Sequence, residues 1–223
     1  MIAERSLIVS CQADLHSPFN APDYIRAFAR AALLGGAGGL RLEGAANIAA
    51  VRPDTDLPII GLIKRRDDFK EVYITPEVSD VAAIDKAGAD IIAFDATARP
   101  RPVAVGDLIN EIHLRSKLAL ADVSTVAEAE AALEAGADLV STTLSGYTSY
   151  SPALEGPDLG LVASLAARGI RPLAEGRIRT PAEAQEALAR GAYAVVVGSA
   201  ITRPEVLTAS FLSALHPHAL LGS

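Results

Sequence analysis

Short apolar runs alternate with segments of helical period along the whole chain, and this alternation restricts the fold more than any other feature. Eight runs rich in Val, Ile and Leu are each followed by a helix candidate, and most of these candidates are rich in Ala. The runs are LIVSC (7–11), GLRLE (39–43), PIIGLI (58–63), DIIAFD (90–95), LALADV (118–123), DLVSTTL (138–144), RPLAEG (171–176) and AVVVGS (194–199). The helix candidates span 22–34, 45–50, 77–87, 104–115, 125–135, 158–168, 180–190 and 204–214.

The apolar character of these runs indicates the kind of sheet. Strands that are apolar on both faces are typical of a parallel sheet covered by helices. Eight βα units in 223 residues predict a single (β/α)8 barrel domain over 1–223, and no linker of distinct composition divides the chain. An open, doubly wound sheet is the alternative. It would be expected to carry a Gly-rich turn after the first strand, where this chain reads CQADLHSPFN (11–20).

A weak internal repeat supports the count of βα units. In three related segments a helix is predicted to end at a glycine before a buried strand begins, and these segments are KAGADIIAFD (86–95), EAGADLVSTT (134–143) and ARGAYAVVVG (189–198). Gly88, Gly136 and Gly191 are therefore predicted to be the residues that follow each helix in a left-handed conformation.

Threonines mark several predicted helix starts. Thr75, Thr125 and Thr180 come just before helix candidates and are predicted N-caps, because a hydroxyl can accept from the free N–H groups of the first turn. The stretch EVYIT (71–75) also has extended character. We interpret it as part of a long loop between strand 3 and helix 3.

Composition argues against several kinds of partner. Lys+Arg 20 and Asp+Glu 27 give a net charge of −7 and a pI of about 5.1, so a nucleic-acid partner is not expected. No run approaches the roughly 18 apolar residues of a membrane span, and MIAERSLIVS (1–10) does not resemble a signal peptide, so a cytoplasmic protein with no membrane partner is expected. Cys11 is the only cysteine and the four histidines lack metal-ligand spacing, so no metal is expected.

Polar residues at the strand ends point to an active site. Barrel enzymes build their sites at the C-terminal ends of the strands. Each of the eight runs ends at a polar or phosphate-compatible position, and in chain order these are Gln12, Arg41 with Glu43, Lys64, Asp95, Asp122, Thr142 with Thr143, Glu175, and Gly198 with Ser199. One such residue means little, but eight together predict a catalytic rim.

Lys64 and Glu175 are the candidate catalytic residues. Lys64 directly follows an apolar strand, where it can act as a base or a Schiff-base amine, which an arginine could not do. The alternative is a strand-end lysine that extends its charge to solvent. Glu175 lies at a strand end before a glycine, which suits an acid or base, or a carboxylate held by backbone N–H groups. Asp95 and Asp122 each have two possible roles, which are to orient other site residues or to cap a helix.

The last two βα loops suggest a phosphate site. Gly176 follows strand 7, and Gly198 and Ser199 follow strand 8, where many barrels bind a phosphate through backbone N–H groups. Arg203 lies just beyond them and adds a positive charge. The alternative is that these glycines only form tight turns.

Several long blocks of this sequence resemble one known family. They are LIVSCQ (7–12), GLRLEG (39–44), LPIIGLIK (57–64), VYITP (72–76), IIAFDATARPRP (91–102), ADVST (121–125), STTLSGYT (141–148), LAEGRIRTP (173–181) and VVVGSAITRP (195–204). In this order they are similar to the N-acylglucosamine-6-phosphate 2-epimerases, also called N-acetylmannosamine-6-phosphate 2-epimerases. The resemblance covers nearly the whole chain.

This resemblance implies a phosphate-binding barrel without metal or organic cofactor. It implies interconversion of N-acetylmannosamine 6-phosphate and N-acetylglucosamine 6-phosphate, a step in sialic-acid breakdown. The family's lysine and glutamate fall on Lys64 and Glu175. Its further polar site residues fall on Gln12, Arg41, Asp122 and Arg203.

Other functions remain open at the level of the sequence. The chain could be another phosphosugar isomerase, or an aldolase that uses Lys64 as a Schiff base. It could also be a phosphosugar sensor, although no spare segment for signalling is evident. The predicted last helix and FLSAL (211–215) could form a homodimer contact.

Overall fold

The strands of the computed structural model, which describes residues 1–65 and 71–216, form a closed barrel. All eight pair in parallel and in chain order, and β8 returns to β1 with Ile8 opposite Val196. The predicted (β/α)8 barrel is confirmed, while the extension of one domain to residue 223 remains a prediction. The strands are β1 (Leu7–Cys11), β2 (Gly39–Glu43), β3 (Ile59–Leu62), β4 (Ile91–Asp95), β5 (Leu118–Asp122), β6 (Leu139–Ser141), β7 (Leu173–Glu175) and β8 (Ala194–Val197).

Helices follow the strands and cover the outside of the barrel. They are α1 (Pro22–Leu34), α2 (Ala45–Val51), α3 (Val78–Lys86), α4 (Val105–Leu114), α5 (Val126–Glu134), α6 (Leu159–Ala166), α7 (Pro181–Ala189), α8 (Ser199–Thr202) and α9 (Pro204–Leu215), with a 3₁₀ turn at Arg52–Asp54. The predicted helices 1 to 7 correspond to α1 to α7, and the predicted last helix is α9. The short α8 was not expected as a separate element.

Helix starts agree with the predicted caps at two positions of three. Thr125 and Thr180 each accept a hydrogen bond from a first-turn N–H, so both caps are confirmed. The Thr75 prediction is wrong, because α3 begins later and the Asp80 side chain accepts from the Glu77 N–H at its start. Thr75 instead donates from Oγ1 to the Ala93 carbonyl, 2.6 Å away, and so attaches the β3–α3 loop to β4.

The stretch 71–75 is the loop that the sequence predicted, with one added contact. Ile74 forms a single antiparallel bridge with Lys64, and the Arg65 N–H donates to the Tyr73 carbonyl over 2.8 Å. This bridge folds the loop back against the end of β3.

Alternation along the strands sorts side chains into two packing layers. Ile8, Ile60 and Leu120 belong to a cluster that fills the barrel interior, whereas Val9, Leu40 and Ala121 pack outward beneath the helices. The same period of two sends later strand positions inward, above the apolar interior layer. The inward positions at the C-terminal side are Ser10, Gln12, Arg41, Glu43, Lys64, Asp95, Asp122, Ser141, Thr143 and Glu175.

The last helix differs from the others in its packing. None of the α9 residues is buried, and Phe211 and Leu215 are 72% and 70% exposed. No helix in the described part of the chain is both long and apolar enough to cross a membrane. Within the same residues, no group of three or more His, Cys, Asp or Glu side chains is placed to hold a metal ion.

Candidate active site

Arg41 lies at the centre of the polar layer. Its side chain is 1% exposed and makes two hydrogen bonds to Asp122, from Nη2 to Oδ2 at 2.6 Å and from Nη1 to Oδ1 at 3.2 Å. Nη1 also lies 3.3 Å from Oε2 of Glu175. Burial alone would lower the pKa of Arg41, but the negative charges of Asp122 and Glu175 raise it overall. One permanent positive charge therefore faces two carboxyl groups inside the barrel.

Thr143 joins the same two carboxyl groups. Its Oγ1 lies 2.8 Å from Oδ1 of Asp122 and 2.9 Å from Oε2 of Glu175. The Ser141 hydroxyl is 2.7 Å from the Thr143 hydroxyl. The sequence marked Thr143 only as a strand end. The signal that could have found it is the period of two, which places Thr143 on the inward face with Ser141, the register partner of Asp122.

Glu175 is poised to hold a proton. Its side chain is 13% exposed. Burial raises the pKa of Glu175 and the charge of Asp122 adds to this effect, against the opposing charge of Arg41. Burial also raises the pKa of Asp122, but two bonds from Arg41 favour its ionised form. Since Asp122 receives both hydrogen bonds of Arg41, the group that keeps a proton most readily is Glu175.

Lys64 reaches into the same space from the end of β3. Its Nζ donates to Oε1 of Gln12 over 2.6 Å and lies 3.3 Å from Oε2 of Glu43. Gln12 is oriented in turn, because its Nε2 donates to the Ser10 hydroxyl over 2.9 Å. Arg65 points the other way, toward Asp80 of α3, as the strand alternation predicts. The amine of Lys64 is thus held at a defined position.

One cavity of about 1360 Å³ opens above these groups. Eight of the nine site residues predicted from the sequence line it, namely Gln12, Arg41, Lys64, Glu175, Gly176, Gly198, Ser199 and Arg203. Asp122 is fully buried and lies behind Arg41. Tyr73 and Tyr147 also line the cavity and were not predicted. No strand or helix pattern points to these two tyrosines, because both lie in loops whose course the strand pattern does not determine.

The predicted phosphate-binding residues lie on the β7 and β8 side of the cavity. Gly176 has a φ of 111°, which disfavours any residue with a Cβ. Gly198 precedes α8, which begins at Ser199. Arg203 follows α8, and its Nη2 donates to Oδ1 of Asp14 over 2.6 Å. These residues combine backbone turns with one arginine.

Asp95 and Cys11 are both fully buried side chains with a structural role. Asp95 is fully buried, and its carboxylate accepts hydrogen bonds of 2.6 Å each from the side chains of Thr97 and Arg99 in the β4–α4 loop. It therefore orients that loop. Cys11 is fully buried, and burial raises the pKa of its thiol to about 12.

Known proteins are similar to this chain in sequence and in fold. The family described as "Putative N-acetylmannosamine-6-phosphate epimerase" (NanE) matches residues 25–217. A protein of Yersinia pestis named "Putative N-acetylmannosamine-6-phosphate 2-epimerase" is 50% identical over 212 residues, which are 95% of this chain and 91% of that protein. A solved structure of the N-acetylmannosamine-6-phosphate 2-epimerase from Clostridium perfringens superposes with a TM-score of 0.93, at 43% identity, over 96% of this chain and 94% of that one.

A longer relative also matches. The "Bifunctional enzyme NanE/NanK" of Brucella melitensis is 54% identical over 209 residues, which are 94% of this chain. This chain spans 40% of the length of that Brucella protein. The match over residues 25–217 and the identities of 50% and 54% confirm the resemblance seen in the sequence, and the chain belongs to the N-acetylmannosamine-6-phosphate epimerase family.

Proposed function

We propose that this chain is an isomerase that interconverts N-acetylmannosamine 6-phosphate and N-acetylglucosamine 6-phosphate, a reaction of sialic-acid and amino-sugar catabolism. The observation that carries the proposal is the placement of Lys64 and Glu175 on one cavity, with the buried Arg41 beside Glu175. The family to which the chain belongs supports the choice of substrate.

The sugar ring opens first, because the proton on C2 is acidic only when C1 is a free aldehyde. Opening moves one proton from the C1 hydroxyl to the ring oxygen and breaks the bond between C1 and that oxygen, whose electron pair stays on the oxygen. Glu175 carries this proton, since a largely buried carboxyl group with a raised pKa can both give and take one.

The neutral amine of Lys64 then removes the proton from C2. The resulting anion is enediolate-like and needs hydrogen-bond donors that face its developing charge. Arg41 and Gln12 line the cavity and supply such donors. Return of the proton to the opposite face inverts C2, either from Lys64 after the intermediate rotates or from Glu175. Asp122 acts through Arg41, whose guanidinium it holds with two hydrogen bonds.

The 6-phosphate binds where the β7 and β8 loops meet the cavity. Gly176, Gly198 and Ser199 offer backbone N–H groups there, and Arg203 supplies a positive charge. The carboxylate of Asp14 accepts a hydrogen bond from Arg203, and both residues line the cavity.

The decisive experiment follows N-acetylmannosamine 6-phosphate by proton NMR in D₂O. Formation of the gluco epimer with deuterium at C2 is expected, and EDTA should not change the rate. Unphosphorylated N-acetylmannosamine should turn over poorly. Absence of epimer formation would refute the proposal, and equal turnover of the unphosphorylated sugar would refute the phosphate site. Borohydride trapping is the control for a Schiff-base aldolase, which would be covalently trapped where a proton-transfer epimerase would not.

We also propose that the protein is located in the cytoplasm.

We further propose that the protein forms a homodimer in which α9 packs against a second copy of the chain. The side chains that support the dimer are apolar and exposed on this helix, namely Val206, Leu207, Phe211, Leu212 and Leu215. Light scattering after size-exclusion chromatography should give twice the mass of 23.1 kDa. Phe211→Glu should shift the equilibrium toward monomer, and a wild-type monomer at all concentrations would refute the dimer.

A further inference from the structure

The Thr143 hydroxyl stands between two carboxyl groups that it cannot serve at once as a donor. Its Oγ1 lies 2.8 Å from Asp122 Oδ1 and 2.9 Å from Glu175 Oε2. A hydroxyl carries a single proton, so at any moment only one of these contacts has Thr143 as its donor. The carboxyl group that accepts the hydrogen bond from Thr143 is the one that this bond stabilises more.

The two carboxyl groups differ in their other partners. Asp122 accepts two hydrogen bonds from Arg41, at 2.6 and 3.2 Å. Glu175 has a looser set around Oε2, with Arg41 Nη1 at 3.3 Å and the Ser141 hydroxyl at 3.5 Å. The hydrogen bond from Thr143 is therefore worth more to an ionised Glu175 than to Asp122.

The donors around Glu175 also distinguish its two oxygens. Thr143, Ser141 and Arg41 all approach Oε2. Because Thr143 has only one proton, it cannot donate to Oε2 while it donates to Asp122, and a neutral Glu175 can then donate from Oε2 to the Thr143 hydroxyl, 2.9 Å away.

We propose that Thr143 is a positioning residue whose hydroxyl turns from Asp122 to Glu175 each time Glu175 loses its proton. This inference rests on the proposed function, in which Glu175 carries a proton during ring opening. While Glu175 is neutral, Thr143 donates to the ionised Asp122. When Glu175 gives its proton to the ring oxygen, Thr143 donates to Oε2, and Asp122 keeps its two bonds from Arg41.

The groups that face Glu175 determine how its pKa should change when the Thr143 hydroxyl is removed. Arg41 comes from β2, Lys64 follows β3 and Asp122 comes from β5, while Ser141 ends β6 and Thr143 follows it. Without the Thr143 hydroxyl, the ionised form of Glu175 loses its shortest hydrogen bond. Its pKa should therefore rise, and the step that ionises it should slow.

The test compares Thr143→Val with Thr143→Ser. Valine has nearly the same size but no hydroxyl, whereas serine keeps the hydroxyl. Thr143→Val should lower kcat about ten- to a hundredfold, as expected for a lost hydrogen bond to a charged group, with KM within about threefold of wild type. Thr143→Ser should keep most of the wild-type kcat. Thr143→Ala serves as the second variant without a hydroxyl if the valine variant does not fold.

A substrate-free measurement separates this inference from the proposed function. Infrared titration of the free protein detects the carboxyl band of Glu175, which Glu175→Gln identifies by its loss. In Thr143→Val the band should titrate at a pH higher by about one unit, and in Thr143→Ser at the wild-type pH. An unchanged titration together with wild-type kcat in Thr143→Val would overturn the inference, as would equal losses in valine and serine. Failure of the epimerase reaction in wild type would instead refute the proposed function.

Discussion

Replacing Arg41 with methionine should destabilise the barrel severely. Arg41 is 1% exposed and its partner Asp122 is fully buried, with 2.6 Å between Nη2 and Oδ2. Arg41→Met removes the positive charge and leaves the carboxyl groups of Asp122 and Glu175 facing each other inside the protein. Breaking a buried pair in this way costs about 3–5 kcal/mol. For a chain of this length, that corresponds to a fall in Tm of roughly 6–20 °C.

Arg26→Met is the matched control. Arg26 and Asp54 also form an ion pair with two hydrogen bonds, of 2.6 and 2.7 Å, but the Arg26 side chain is 44% exposed. A pair open to water is worth about 0–1 kcal/mol. Scanning calorimetry should therefore show a fall in Tm of at most about 4 °C. If Arg41→Met lost no more stability than Arg26→Met, burial would not be the cause and the reasoning would be refuted.

The loss in Arg41→Met should depend on pH in a defined direction. Without Arg41, the folded-state pKa values of Asp122 and Glu175 rise further above their unfolded values, because Arg41 opposes the effect of burial on both. A carboxyl group with a raised folded-state pKa contributes stability at low pH and loses it as pH rises through that pKa. The difference in the free energy of unfolding between wild type and Arg41→Met should therefore become smaller as the pH falls from 8 to 5. Adding Asp122→Asn should also recover part of the loss.

The barrel could be predicted from the sequence because its determinants are local. Each apolar run of five to seven residues marks a strand, and Gly88, Gly136 and Gly191 end helices with φ of 96°, 104° and 102°, as predicted. The period of two also placed Lys64 inward and Arg65 outward. These features depend only on residues that are near each other in the chain.

The partners within the site could not be predicted in the same way. Arg41 and Asp122 lie 81 residues apart on β2 and β5, which are not neighbours, so their contact depends on how the closed barrel brings facing strands together. Arg203 and Asp14 are 189 residues apart. The position of Thr75 just before a helix candidate predicts a cap, but its hydroxyl instead donates to the Ala93 carbonyl of β4. Such contacts depend on tertiary packing, which strand and helix patterns do not encode.

Three further predictions concern catalysis, phosphate binding and helix packing. Lys64→Met should abolish turnover and deuterium incorporation at C2 in the NMR assay, a loss of at least about 10²–10⁴, whereas Lys117→Met, beside Asp85 at the outer surface, should retain both. Arg203→Ala should chiefly raise KM for the phosphosugar in steady-state kinetics, because a phosphate contact binds ground state and transition state alike, and unchanged kinetics would remove it from the site. Gly191→Ala and Gly36→Ala both force an alanine into positive φ, at 102° and 89°, so each should cost about 1 kcal/mol in urea unfolding. Only at position 191 would the new Cβ also fall 2.5 Å from the Cβ of Ala166, whereas nothing lies within 4 Å of it at position 36. Gly191→Ala should therefore lose about 1–3 kcal/mol more than Gly36→Ala, and equal losses would show that α6 and α7 do not pack as closely as the structure has them.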